Sequence, residues 1–181
     1  MTTMILFLSI FFHLTCDSIK LPKLEIIEPF LIRQIIFDES GITVPEIDPY
    51  HLHLMYQQTV TYNFPVKLFF RLVCKESNFN PNTVSSKEAQ GYMQIIPDTW
   101  KDICRQLKWP GELKMTPERN IIAGAWYLNY LHEYWTAKIV NNELAWLYTL
   151  ASYNAGIGNV KNYNGIPPFE ETQNYIAYIN N

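Results

Sequence analysis

Position 76 carries the residue whose chemistry is hardest to explain as ordinary surface. Between Pro65 and Ser77, the residues Phe69, Leu72, Val73 and Glu76 recur at helical spacing and share one face. Lys67, Arg71 and Lys75 fall on the other side and are expected to form its solvated stripe. Glu76 thus ends an apolar stripe, where burial disfavours the charged carboxylate and raises its pKa. A carboxylic acid that keeps its proton near neutrality is the group needed to protonate a glycosidic oxygen. The competing reading is a helix-end glutamate reaching into water.

The elements that must position this acid are read from prolines, caps and glycines. Pro65 opens the helix of Glu76, and Asn80-Pro81 is expected to close it. A helix is expected from Tyr50 to Thr61, another from Pro97-Asp98-Thr99 to before Trp109, and a longer one from Thr116-Pro117-Glu118 to about Trp135. Asn141 starts the next, which Gly156 and Gly158 are expected to end. A last helix begins near Phe169, with Glu170 and Glu171 at its positive end. Strand-type alternation is found over no useful length, so the fold class is mainly α, with about six or seven helices. A short amphipathic helix after Pro29, ending near Gly41, is expected within a segment (17–49) that reads as a strap or spacer on the main domain.

Composition narrows the chemistry further. The chain has 181 residues, enough for one domain of ordinary size with a short appendage. Apolar residues make up 48% and charged ones 17%, which excludes wholesale disorder. Aromatic residues reach 15%, and Tyr and Trp suit wet grooves that bind sugars or peptides. A net charge of −3 with scattered Lys and Arg excludes a phosphate-tracking nucleic-acid surface. Cys16, Cys74 and Cys104 form no CxxC pair and His51, His53 and His132 are dispersed, so no metal and no cofactor is expected. Cys74 and Cys104 are either a disulfide of an exported protein or two apolar thiols. The apolar run from Met4 to Thr15 has the length of the hydrophobic part of a secretory signal, though no basic residue precedes it. Residues 1–16 are accordingly expected to be a signal peptide or short membrane leader, with export to the periplasm or cell envelope. Attachment through the leader or through a lipid on Cys16 is the variant of that expectation.

The text after Glu76 adds a family likeness. Glu76-Ser77, the Asn80-Pro81 turn, Ser85 and Gly91-Tyr92-Met93-Gln94 closely resemble the signature of the soluble-type lytic transglycosylases, bacterial enzymes with a lysozyme-like catalytic domain that cut peptidoglycan. Three more segments follow in the family's order: Asn120 to Leu128, Ala151 to Val160 around Tyr153-Asn154-Ala155-Gly156, and Pro168 to Ile176 around Glu171-Thr172 and Tyr175. Together they cover most of residues 50–181 and imply a catalytic domain of goose-lysozyme and transglycosylase type with a substrate groove.

Carried over residue by residue, the resemblance makes Glu76 the catalytic acid and base. It places Ser85 and Gln94 in the groove near the cleaved bond, Tyr153 and Asn154 on the motif whose tyrosine sits close to the acid, and Glu171 on a residue that helps bind sugar and supports the site. For Tyr153 and Tyr175 a core role stays open, as does a loop-capping role for Gln94. Met93 reads as core packing, Gly124 as a site of close helix approach, and Gly91 as a turn residue. One departure stands out: where the family usually reads Gly-Ala-x-Gly, this chain has Glu88-Ala89-Gln90-Gly91. If that glycine holds a positive φ, Glu88 must strain the loop; it is either a tolerated surface substitution or a second carboxylate near the groove.

The implied reaction cleaves the β-1,4 bond between N-acetylmuramic acid and N-acetylglucosamine and leaves 1,6-anhydromuramyl ends. The alternatives carried forward are hydrolysis of goose-lysozyme type, with Glu88 positioning the water, and a non-catalytic wall-binding module that places a secretion or motility machine. Glycan strands are the expected partner, nucleic acid is not, and a monomer is expected.

Overall fold

A computed structural model describes residues 28–110 and 113–181. Residues 1–16 with Cys16, and the first part of the 17–49 segment, lie outside the described residues. Among the described residues, eight helices run in the order α1 (Pro29–Ser40), α2 (Pro49–Tyr62), α3 (Val66–Ser77), α4 (Pro97–Gln106), α5 (Pro117–Thr136), α6 (Asn142–Ala155), α7 (Ile157–Asn162) and α8 (Glu170–Asn180). Among the described residues none is long and apolar enough to cross a membrane. Extended structure there is limited to isolated bridges of Gln90 with Val84 and with Ile95.

Local chemistry explains most of these boundaries. Prolines occupy the first turns of α1, α2, α4 and α5, where a missing N–H costs nothing. Asp48, Thr116 and Asn141 cap α2, α5 and α6 by accepting from the backbone N–H groups of Tyr50, Arg119 and Leu144. Two expected ends differ. The helix of Glu76 stops at Ser77, because Asn78 turns into the left-handed region at φ 49°, ahead of Asn80-Pro81. Gly156, at φ 87°, ends α6, but Gly158 lies inside the short helix α7.

Helix α3 is the hub. Phe69, Phe70, Leu72 and Val73 are wholly buried, each side chain contributing about 1.5–3 kcal/mol of burial free energy. Helix α1 packs on α3 and α2 through Ile32 and Ile36, and α8 packs on α3 and α6. The expected solvated stripe of α3 is therefore largely covered. Arg71 donates to the carbonyl oxygens of Ser40 and Tyr178, Lys67 reaches Asn181 O, and Lys75 lies over the Tyr178 ring. Arg71 and Lys67 thus fasten α1 and α8 to α3 by binding carbonyls at helix ends.

Cys74 and Cys104 are free thiols, so the disulfide alternative is not formed. Cys104 is buried, and Cys74 lies 3.2 Å from the Tyr178 hydroxyl. His51 joins three parts of the fold, with Nδ1 3.1 Å from Tyr92 Oη and Nε2 3.0 Å from Glu118 Oε1.

Candidate active site

Glu76 lies in the last turn of α3, at the floor of a cleft of about 490 Å³. The segment between α3 and α4 forms one wall, and several anchors hold it. Asn120 of α5 accepts from Met93 N and donates to Gln90 O, each at 2.8 Å. Ser77 Oγ donates to Tyr92 O at 2.9 Å, and Tyr153 Oη donates to Met93 O at 2.8 Å. Gly91 is at φ 75°, and a Cβ there would lie 2.7 Å from the Asn120 side chain. Gly124 admits the Met93 side chain rather than a second helix: a Cβ at 124 would stand 2.4 Å from Met93 Cβ. Met93 itself is wholly buried.

The opposite wall comes from the end of α6 and the start of α8. All six residues expected at the site, Glu76, Ser85, Gln94, Tyr153, Asn154 and Glu171, line this one cleft. Ser85 Oγ accepts from the N–H groups of Lys87 and Ala89, which ties up its lone pairs and leaves its proton to donate. Gln94 Nε2 donates to Thr83 O and Gly91 O, so its amide nitrogen does cap the loop. Asn154 Oδ1 accepts from Thr172 Oγ1 at 2.8 Å, and its Nδ2 reaches Glu171 Oε1 at 3.5 Å.

Tyr175 is a site residue that sequence reasoning left open as a core aromatic. Its hydroxyl donates to Glu76 Oε1 at 2.5 Å, and its ring is 2% exposed. A readable signal was present: Tyr175 falls four residues after Glu171, hence on the same face of α8.

Burial is the largest influence on Glu76 and pushes its pKa up to about 7. The Tyr175 hydrogen bond and Lys75 pull the other way, while the negative charge of Glu171 adds to the rise. Burial also holds the Tyr153 and Tyr175 hydroxyls well above the ordinary phenol range, and Glu76 beside them adds to this. Both tyrosines therefore act as donors, not as bases. Glu88 occupies the left-handed region at φ 60°, as replacement of a glycine implied, at a backbone cost of roughly 1–2 kcal/mol. Its side chain is exposed and does not line the cleft, so the second carboxylate there is Glu171. Among the described residues no cluster of three His, Cys, Asp or Glu could hold a metal ion.

A mainly helical domain whose cleft is built around one sheltered carboxylic acid has the lysozyme-like architecture. The chain belongs to the transglycosylase SLT domain family, whose model matches residues 53–176. It is 30% identical over 115 residues to the membrane-bound lytic murein transglycosylase C of Photorhabdus laumondii, covering 61% of this chain and 32% of that protein. The protein of the same description from Yersinia pestis is 31% identical over 115 residues, with the same coverage. Two solved structures share the fold. An inactive Glu-to-Gln mutant of the lytic transglycosylase Slt from Pseudomonas aeruginosa matches with a TM-score of 0.59 and 25% identity, over 71% of this chain and 22% of that one. The 70 kDa soluble lytic transglycosylase of Escherichia coli matches with a TM-score of 0.57 and 27% identity, over 70% and 22%. The chain spans about a third of the length of the curated relatives it matches.

Proposed function

We propose that this chain is a peptidoglycan lytic transglycosylase that cuts between N-acetylmuramic acid and N-acetylglucosamine. The observation that carries the reading is Glu76, a carboxyl group with its pKa at about 7, held by Tyr175 on the floor of an open polar cleft. Protonated, it gives its proton to the bridging oxygen, and the N-acetylglucosamine side leaves with a 4-hydroxyl. The muramyl N-acetyl oxygen stabilises the positive charge on the anomeric carbon. Glu76, now a carboxylate, takes the proton of the muramyl 6-hydroxyl as that oxygen bonds to the anomeric carbon. The bond broken and the bond formed balance, the acid is regenerated, and no water is consumed.

In this reading Ser85 donates its free proton to the sugar, and Gln94 offers the amide oxygen left by its committed nitrogen. Tyr153 positions the loop wall through Met93, and Asn154 and Glu171 receive sugar hydroxyls. The hydrolytic alternative assigned the attacking water to Glu88, and that support falls away because Glu88 does not line the cleft. The related proteins named above as membrane-bound murein transglycosylases support a cell-envelope location and a peptidoglycan substrate for this chain. Residues 1–16 act as an export leader in this proposal, 17–49 as a strap, and 50–181 as the catalytic domain. Mass analysis of the products released from purified peptidoglycan tests the reaction. Anhydromuramyl ends are expected, and saccharide ends heavier by one water would refute the transglycosylase reading in favour of hydrolysis.

A further inference from the structure

A second cavity, of about 280 Å³, adjoins the cleft of Glu76, and Thr99 and Tyr127 line both. Its apolar wall is built by Trp126, Tyr127 and Tyr130 of α5. The Trp126 and Tyr130 rings lie 5.5 Å apart with planes 16° from parallel, and Tyr127 and Tyr130 lie 6.4 Å apart at 13°. Tyr127 then meets Tyr153 at 5.7 Å, so one run of aromatic rings leads from this cavity to the neighbourhood of Glu76. Tyr130 is 46% exposed, a large apolar surface left in water beyond what its stacking on Trp126 and Tyr127 covers. The facing side is polar, with the exposed Asp102–Arg105 ion pair at 2.9 Å.

We infer that Trp126, Tyr127 and Tyr130 form a distal saccharide platform on which a pyranose ring of the strand held in the Glu76 cleft stacks. The inference rests on the glycan reading above and adds to it a binding subsite and the residues that set it. The exposed Tyr130 ring of this stack presents an apolar face to the C–H face of a pyranose, and Asp102, Arg105 and Thr99 supply partners for its equatorial polar groups. Shared lining residues make the platform continuous with the cleft, so one strand can occupy both. Tyr127 is the hinge of the two, since its ring touches both cavities.

The test uses Glu76→Gln protein, which retains bound strands uncut, titrated calorimetrically with N-acetylglucosamine oligomers of increasing length. Affinity is expected to rise as the oligomer becomes long enough to reach the platform. Adding Tyr130→Ala or Trp126→Ala is expected to weaken the long oligomers by about tenfold, with short ones unchanged. Tyr130→Phe, which keeps the ring and loses the hydroxyl, should retain the gain with length. Equal affinity for long oligomers in the alanine variants would overturn the platform, leaving the glycan reading intact. Equal loss at every length would also overturn it, because the rings would then be supporting the cleft itself. Failure of the Glu76→Gln protein to bind any oligomer would overturn both this inference and the glycan reading on which it rests.

Discussion

Replacing Tyr175 with Phe removes one hydrogen-bond donor from Glu76 Oε1 and keeps the ring that fills the core. That donor favours the ionised carboxylate, so its loss must raise the pKa of Glu76 above about 7. A hydrogen bond to a charged group is worth about 1.5–3 kcal/mol. At 1.36 kcal/mol per pKa unit this bounds the rise at about one to two units. Water entering beside the carboxyl recovers part of it, so the expected rise is about one unit. Glu76 has to hold its proton at the start of the reaction, so activity falls as pH rises through its pKa. The basic limb of the pH profile of kcat/KM on purified peptidoglycan should therefore move upward in Tyr175→Phe. The maximal rate should fall, because the carboxyl loses the hydroxyl that holds it in place. A basic limb that stays put, or that moves downward, would refute the assigned coupling.

Glu76→Gln should abolish cleavage while stabilising the fold in a pH-dependent way. The folded pKa of Glu76 lies above its ordinary 4.5, so the native state binds more protons and wild-type stability falls as pH rises from about 4.5 to about 7. Glutamine cannot ionise and still accepts from Tyr175, so the variant should gain roughly 3 kcal/mol over wild type above pH 7 and little near pH 4. Denaturant unfolding at both pH values checks this, and an equal difference at both would count against a sheltered acid. Gly124→Ala should lose about 1–3 kcal/mol by thermal unfolding and lose activity with it. The new Cβ would stand 2.4 Å from Met93 Cβ, and Met93 anchors the loop that carries Gln94. An unchanged melting temperature would show that Met93 moves aside freely.

Much of the fold could be read from short-range chemistry. Pro97, Pro117 and Asn141 mark helix starts through local sterics and capping, which a sequence displays directly. Glu76 was legible for the same reason, since helical spacing alone sets it among Phe69, Leu72 and Val73. What escaped depends on partners distant in sequence. Arg71 reads as a solvated cation, yet its guanidinium is claimed by carbonyls of residues 40 and 178. Tyr175 reads as a core ring until its hydroxyl meets a carboxyl ninety-nine positions earlier. Gly124 reads as a helix-contact residue, and only the folded loop reveals Met93 as the atom group it accommodates. The end of α3 escaped for a subtler reason: Asn78 competes with the more conspicuous Asn80-Pro81, and asparagine's tolerance of positive φ decides it.

The most direct measurement is the titration of the Glu76 side chain itself. Carbon-13 NMR of glutamate-labelled protein, with Glu76→Gln to assign the resonance, should give a midpoint at about 7. A midpoint at the ordinary glutamate value would contradict the account, for a group that has already lost its proton cannot deliver it to the bridging oxygen.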